Sequence, residues 1–168
     1  MTMGRWFAGL LLVGASAAQA MTGVVTHVTD GDTVWVREEG RKPVSVRLHG
    51  IDAPERCQEG GEEATEALRA RVLRRQVVVD THAIDGYGRV VGTVTLGGED
   101  INGWLVAQGH AWSPGYRNSP GPYADVERLA RSRHRGLFAR PAIEPKVFRK
   151  EHGPCPRPGG RTRPATAR

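Results

Sequence analysis

Two β-rich runs, residues 22–28 and 33–37, meet across Asp30-Gly31, and nothing else in the chain limits its fold so tightly. Asp-Gly supplies the backbone freedom of a tight hairpin turn, so the runs on either side lie antiparallel. Val44, Val46 and Leu48 then alternate with Ser45, Arg47 and His49. A period of two sends successive side chains to opposite faces, which makes this a half-buried strand with Arg47 on the face away from the apolar residues. The chain therefore opens on a three-stranded meander.

The period changes over residues 61–74, where Ala64, Leu68 and Val72 fall four apart with Glu and Arg between them. This predicts an amphipathic helix. Residues 77–79 and 89–96 read as two more strands, with Asp85-Gly86 in the connection. Residues 100–108 form a short helix ended by Gly109, and residues 123–135 another. In the last one Val126, Leu129 and Ala130 share a face, Pro122 suits the start and Gly136 the end. The order β-β-β-α-β-β-α-α predicts an α+β fold dominated by β. It matches a five-stranded barrel of the oligonucleotide-binding (OB) type with three helices.

The 168 residues are enough for one such domain with a modest core. The first twenty lie outside it. Arg5 precedes an apolar run from Trp6 to Val13, too short to span a bilayer, and Ala18-Gln19-Ala20 has the form of a cleavage site. A secretory signal peptide over 1–20 is expected, with the mature chain in the periplasm or outside the cell; the alternative is a short membrane anchor. The domain is placed at 21–150 and a disordered Pro/Arg/Gly-rich tail at 151–168. Net charge is +6, but Arg157, Arg161, Arg163 and Arg168 all sit in that tail. The basic footprint of a nucleic-acid binder therefore belongs to the tail and is weak for the domain. Cys57 and Cys155 are the two cysteines. In an exported chain an even pair suggests a disulfide, here tying the tail to the loop after Glu55; the alternative is two independent thiols.

Three clusters carry chemistry: Asp30-Gly31-Asp32-Thr33, the run from Arg47 to Glu55 that holds Asp52-Ala53-Pro54, and Asp85-Gly86-Tyr87-Gly88-Arg89. They put acids and arginines at strand ends. Hard cations such as Ca²⁺ take carboxylate and carbonyl oxygens, so two aspartates and a loop carbonyl offer a weak site that water or substrate would complete. Each arginine presents a fork of donors to a phosphate. Acids for a metal, one further acid and two arginines make a phosphoryl-transfer constellation. Each residue also has a plainer reading: Asp30 and Asp52 as turn formers, Glu55 as a solvated loop acid, Arg47 and Arg89 as long side chains covering the barrel.

These clusters, in this order and spacing, resemble the staphylococcal nuclease family. So do Leu105-Val106-Ala107-Gln108-Gly109-His110-Ala111-Trp112, Glu127-Arg128-Leu129-Ala130-Arg131 and Gly136-Leu137-Phe138. The likeness runs from residue 22 to about 150. It implies an OB-type barrel and a Ca²⁺-dependent nuclease acting on DNA or RNA, working as a monomer. By position, Asp32 and Asp52 match the calcium-binding carboxylates, and Ala53 falls where a backbone carbonyl meets the ion. Glu55 matches the catalytic glutamate, Arg47 and Arg89 the catalytic arginines, and Asp30 an acid behind the metal. The implied products carry a 3′-phosphate and a 5′-hydroxyl.

The chain departs from the family between Trp112 and Tyr123, where two Pro-Gly pairs interrupt a region that contacts the nucleotide. Tyr116 is the nearest substitute there, with Arg117 able to reach a phosphate, and Tyr87 either packs on the barrel or lies near a base. Glu59, Glu62 and Glu63 stand after Glu55 where lysines are expected. His27, His49, His82 and His110 lack metal-ligand spacing, and Trp104 and Trp112 suit packing. The competing reading is an inactive OB-type module that binds nucleic acid without cutting it. Retention of Asp32, Asp52, Glu55, Arg47 and Arg89 together argues for the enzyme.

Overall fold

The computed structural model describes residues 20–156. The expected signal peptide up to Gln19 and the last twelve residues of the expected tail lie outside the described residues. Six strands and four helices follow in the order β1 (Ala20–Asp30), β2 (Thr33–Arg37), β3 (Val44–Leu48), α1 (Gly61–Val72), β4 (Gln76–Ile84), β5 (Val90–Leu96), β6 (Glu99–Asp100), α2 (Ile101–Ala107), α3 (Ala124–Ser132) and α4 (Pro145–His152). A 3-10 turn, Gly136–Ala139, separates α3 from α4.

Strands lie in the order β3-β2-β1-β4-β5-β6, and a parallel pairing of β3 with β5 closes the first five into a barrel. The Asp-Gly turn does what its chemistry requires: Asp30 pairs with Thr33, and β1 and β2 run antiparallel from there. Val25, Val28, Val34, Val36, Val46, Leu48, Val77, Val79 and Val94 are buried inside the barrel. Each fully buried side chain of this size contributes about 1.5–3 kcal/mol. Ala64, Leu68 and Val72 of α1 join this core on the predicted four-residue spacing, as do Ile101, Leu105 and Val106 of α2.

Asn102 is fully buried and ties α2 to the barrel. Its Oδ1 accepts from the Val94 N–H at 3.0 Å, and its Nδ2 donates to the carbonyls of His49 at 2.9 Å and Gly92 at 3.2 Å. One side chain thereby bonds three backbone groups, one just past β3 and two within β5, which fixes the start of the loop that follows β3.

Among the described residues the helices number four rather than the expected three. β6 has two residues and no periodicity to show, and β4 extends past the expected 77–79 to Ile84 through an outer half that is largely exposed and has no buried apolar alternation. α3 ends at Ser132, and Leu129 on the expected apolar face is 49% exposed, whereas Ala130 is buried. The boundary expected between 150 and 151 falls inside α4, whose fold extends at least to Cys155. Pro145 at its first turn starts this helix, and Cys155 just beyond it is bonded to Cys57 across 98 positions of sequence.

Candidate active site

The site sits where the first hairpin, the loop after β3 and the mouth of the β4–β5 connection meet. The Asp30-Gly31 turn is pressed under that loop: a Cβ on Gly31 would lie 2.7 Å from the Cβ of Ala53 and 2.8 Å from that of Ala64. Only glycine lets the turn carrying Asp32 approach so closely. Downstream, Asp52 is pinned by a two-way backbone bridge to Trp112, with its N–H donating to the Trp112 carbonyl at 2.9 Å and the Trp112 N–H donating back at 3.0 Å. Trp112 is itself buried edge-on against Phe138. Glu55 lies over the start of α1, where a Cβ on Gly61 would fall 1.9 Å from the Glu55 carbonyl.

These elements bring the expected residues around one hollow of about 350 Å³. Asp30, Asp32, Asp52 and Glu55 face it, with Ala53 in the same wall. Arg47, Arg89, Tyr87 and Arg149 complete the lining. Four carboxylates thus confront three guanidinium groups.

Asp32 and Asp52 are buried. The Ala53 N–H donates to Asp32 Oδ2 at 2.8 Å and the Thr33 hydroxyl to Oδ1 at 3.2 Å, while Arg47 forms an ion pair with the same carboxylate. Arg47 also reaches Asp52 Oδ1 through Nη2 at 3.0 Å. Burial lowers the Arg47 pKa from its ordinary value, against the pull of Asp52 and Asp30. Burial likewise raises Asp30 above the usual carboxylate value, although Thr33, Arg47 and Arg89 act the other way. Asp30 meanwhile accepts from the Asp32 N–H at 3.2 Å and so shapes the turn.

Arg89 is oriented by Asp85. The ion pair runs through Nε at 2.7 Å rather than through the terminal nitrogens. Asp85 Oδ1 accepts from the backbone N–H groups of Tyr87 at 2.9 Å and Arg89 at 3.0 Å. Burial acts to raise the Asp85 pKa, but these bonds and the Arg89 charge outweigh it and hold the group below its usual value. Tyr87 is 88% exposed, with Arg89 stacked over its ring. Tyr116 lies outside the lining of the hollow, on a turn bridged to Ser119, exposed and with Arg117 over its ring. Glu59 pairs with Arg140 at 3.0 Å.

Two functional features escaped the sequence reading. Gln58, buried in the loop after Glu55, accepts from the Glu55 N–H at 3.2 Å and donates to the Ile143 carbonyl at 2.6 Å. Arg149 enters from α4 and spans two acids, donating to Asp52 Oδ2 at 2.8 Å and Glu55 Oε1 at 2.8 Å. The hydrogen bond to Asp52, then that to Glu55, raises its pKa further. The signal for Arg149 lay in Cys155: a bond to Cys57 draws the segment before it back over Glu55.

Barrel and hollow together define the class: an OB-type barrel carrying a cluster of acids and arginines suited to phosphoryl transfer. Comparison with known sequences narrows this. Residues 45–140 match the model of the family described as staphylococcal nuclease homologue. The chain is 34% identical over 153 residues to the micrococcal nuclease of Shigella flexneri, covering 84% of this chain and 87% of that protein. It is 36% identical over 118 residues to an uncharacterized endonuclease of Escherichia coli, covering 70% and 76%. With protein ParB of Escherichia coli the identity is 40% over 157 residues, covering 84% and 86%. The chain belongs to the staphylococcal nuclease homologue family.

Proposed function

We propose that this protein is an exported, Ca²⁺-dependent nuclease that hydrolyses phosphodiester bonds of DNA or RNA, leaving 3′-phosphate and 5′-hydroxyl ends. The observation that carries the reading is the convergence of Asp32, Asp52, Glu55, Arg47 and Arg89 on one hollow.

The donor set fits a hard divalent cation. Asp32 and Asp52 are buried carboxylates facing one space, and every candidate ligand, the Ala53 carbonyl included, is oxygen. Among the described residues no group of three Asp, Glu, His or Cys side chains forms a metal cage. Two carboxylates alone hold such an ion weakly, and substrate phosphate and water would complete its shell. When bound, the ion would supply Lewis-acid stabilisation of charge on the phosphate.

The chain's own groups do the rest. Glu55 accepts the proton of the attacking water as its oxygen adds to phosphorus. Arg47 and Arg89 stabilise the negative charge that grows on the phosphate oxygens. The bond from phosphorus to the 5′ oxygen breaks, that oxygen takes a proton, and Arg89 assists its departure. Tyr87, exposed at the rim, is placed to meet a base by stacking. Asp30 keeps the Asp32 turn in shape. Export is supported by the leader-like sequence up to Ala20 and by the Cys57–Cys155 disulfide, a bond that persists in oxidising compartments.

The test is digestion of single-stranded DNA and of RNA by the purified protein with Ca²⁺, with Mg²⁺ and with EGTA, followed by end-group analysis. Cleavage with Ca²⁺ that EGTA stops, leaving 3′-phosphates, supports the reading. Tight binding without cleavage would mean a binding module instead.

A further inference from the structure

Arg149 has no part in the chemistry above, yet it stands at a junction. It lines the hollow and also a second groove of about 430 Å³; Arg47, Asp52 and Arg149 form the wall shared by the two. The groove continues along α4, where Lys146 lies one turn before Arg149, with Trp112 and Ser113 opposite. Residues three apart on a helix share a face, so the two cations point along one path. The acids on that path are Glu127, which is paired to Arg131 at 2.7 Å, and Glu144.

Arg149 is 41% exposed in its side chain, and its acid partners have other claims on them. Asp52 already pairs with Arg47, and Glu55 is itself 28% exposed. The contact with buried Asp52 is two-pronged, Nη2 to Oδ2 at 2.8 Å and Nη1 to Oδ1 at 3.2 Å, whereas the pair with the partly exposed Glu55 is the weak one that a competing anion displaces readily. The helix under Arg149, by contrast, is fixed. Cys155 bonds to Cys57 and Gln58 bonds to Ile143, so both ends of α4 are anchored to the loop that carries Glu55. A fixed helix presenting an exchangeable guanidinium at the mouth of a polyanion-cleaving hollow is a phosphate subsite.

We propose that Arg149, with Lys146 beside it, binds the phosphate flanking the scissile one, where the strand leaves the hollow along α4. This rests on the nuclease reading. A phosphate that takes the Arg149 guanidinium also frees Glu55 Oε1 for the proton it must accept.

The test compares a dinucleoside monophosphate, which has no flanking phosphate, with a short oligothymidylate. In Arg149→Ala, kcat/KM for the oligomer falls by roughly tenfold to a hundredfold more than that for the dinucleoside monophosphate. Arg149→Lys recovers part of the loss. Equal falls on both substrates, or no fall on the oligomer, would overturn the proposal. Should the wild-type protein cleave neither substrate, the nuclease reading fails by itself, and the subsite is read from binding alone. There Arg149→Ala reduces the slope of log affinity against log salt for the oligomer by about 0.7, and an unchanged slope overturns it.

Discussion

Arg89 illustrates how much of this site is set by single residues. Its guanidinium is held through Nε by Asp85, so in the proposed mechanism its terminal nitrogens meet the phosphate already ordered. Arg89→Ala is expected to lower turnover by about 10²–10³-fold, the usual cost of one lost transition-state donor, with the melting temperature nearly unchanged. Initial rates and a thermal melt on the same preparation check both halves. Asp85→Asn is expected to give a smaller loss, carried mainly by kcat, because Arg89 stays present but loses its orientation. At this scale the sequence was most readable. Turn residues, acids and arginines keep their local order in the chain, and the hollow gathers what the three clusters proposed. Arg149 was hidden because its partners lie 97 and 94 positions away and no local pattern links them. Gln58 was hidden for a related reason, since a polar residue in a glutamate-rich loop gives no sign that it is buried.

Elements position these residues, and the pins between elements are testable. Asn102 bonds three backbone groups with one amide, so Asn102→Leu takes the side-chain partner from the Val94 N–H and the His49 carbonyl, while the Gly92 carbonyl keeps the His49 N–H at 2.8 Å. An unsatisfied buried group costs about 1–3 kcal/mol, and the variant is expected to lose several kcal/mol in denaturant unfolding, with α2 detaching from the barrel. His49, just past β3, and His82 of β4 stack with ring centroids 4.3 Å apart. Burial, and secondarily His82, lowers the His49 pKa below 6.5. As pH falls through 6.5 the unfolded chain takes up the proton before the folded one does, so stability is lost from there down to the lowered value. The melting temperature is therefore expected to drop on acidification through this window, and His49→Gln to flatten the drop. Elements with a strong local signal were legible: β2 falls where its β-rich run beside Asp30-Gly31 put it, β3 where the alternation put it, and α1 within two residues. β6, the outer half of β4 and α4 were not, because two residues carry no period and exposed polar strands or short basic helices take their shape from tertiary contacts.

Across the whole molecule, the disulfide makes the C-terminal segment part of the enzyme. Closing a loop of 98 positions removes much of the unfolded chain's freedom, and losing such a bond typically costs about 2–5 kcal/mol. The double variant Cys57→Ser, Cys155→Ser is expected to melt lower by a corresponding amount. It is also expected to lose activity on oligomers in the manner of Arg149→Ala, because α4 is no longer held over Glu55. The proposed catalysis, metal site and strand exit thus depend on one geometry, in which the loop after β3 is clamped by Trp112 on one side and by α4 on the other. The most direct measurement of the central claim is the rate of single-stranded DNA hydrolysis in saturating Ca²⁺ by wild type and by Glu55→Gln, with thermal melts of both. The account predicts a fall of about 10²–10⁴-fold in the variant, the range of general-base catalysis, at an unchanged melting temperature. Equal rates would show that cleavage occurs somewhere other than this hollow.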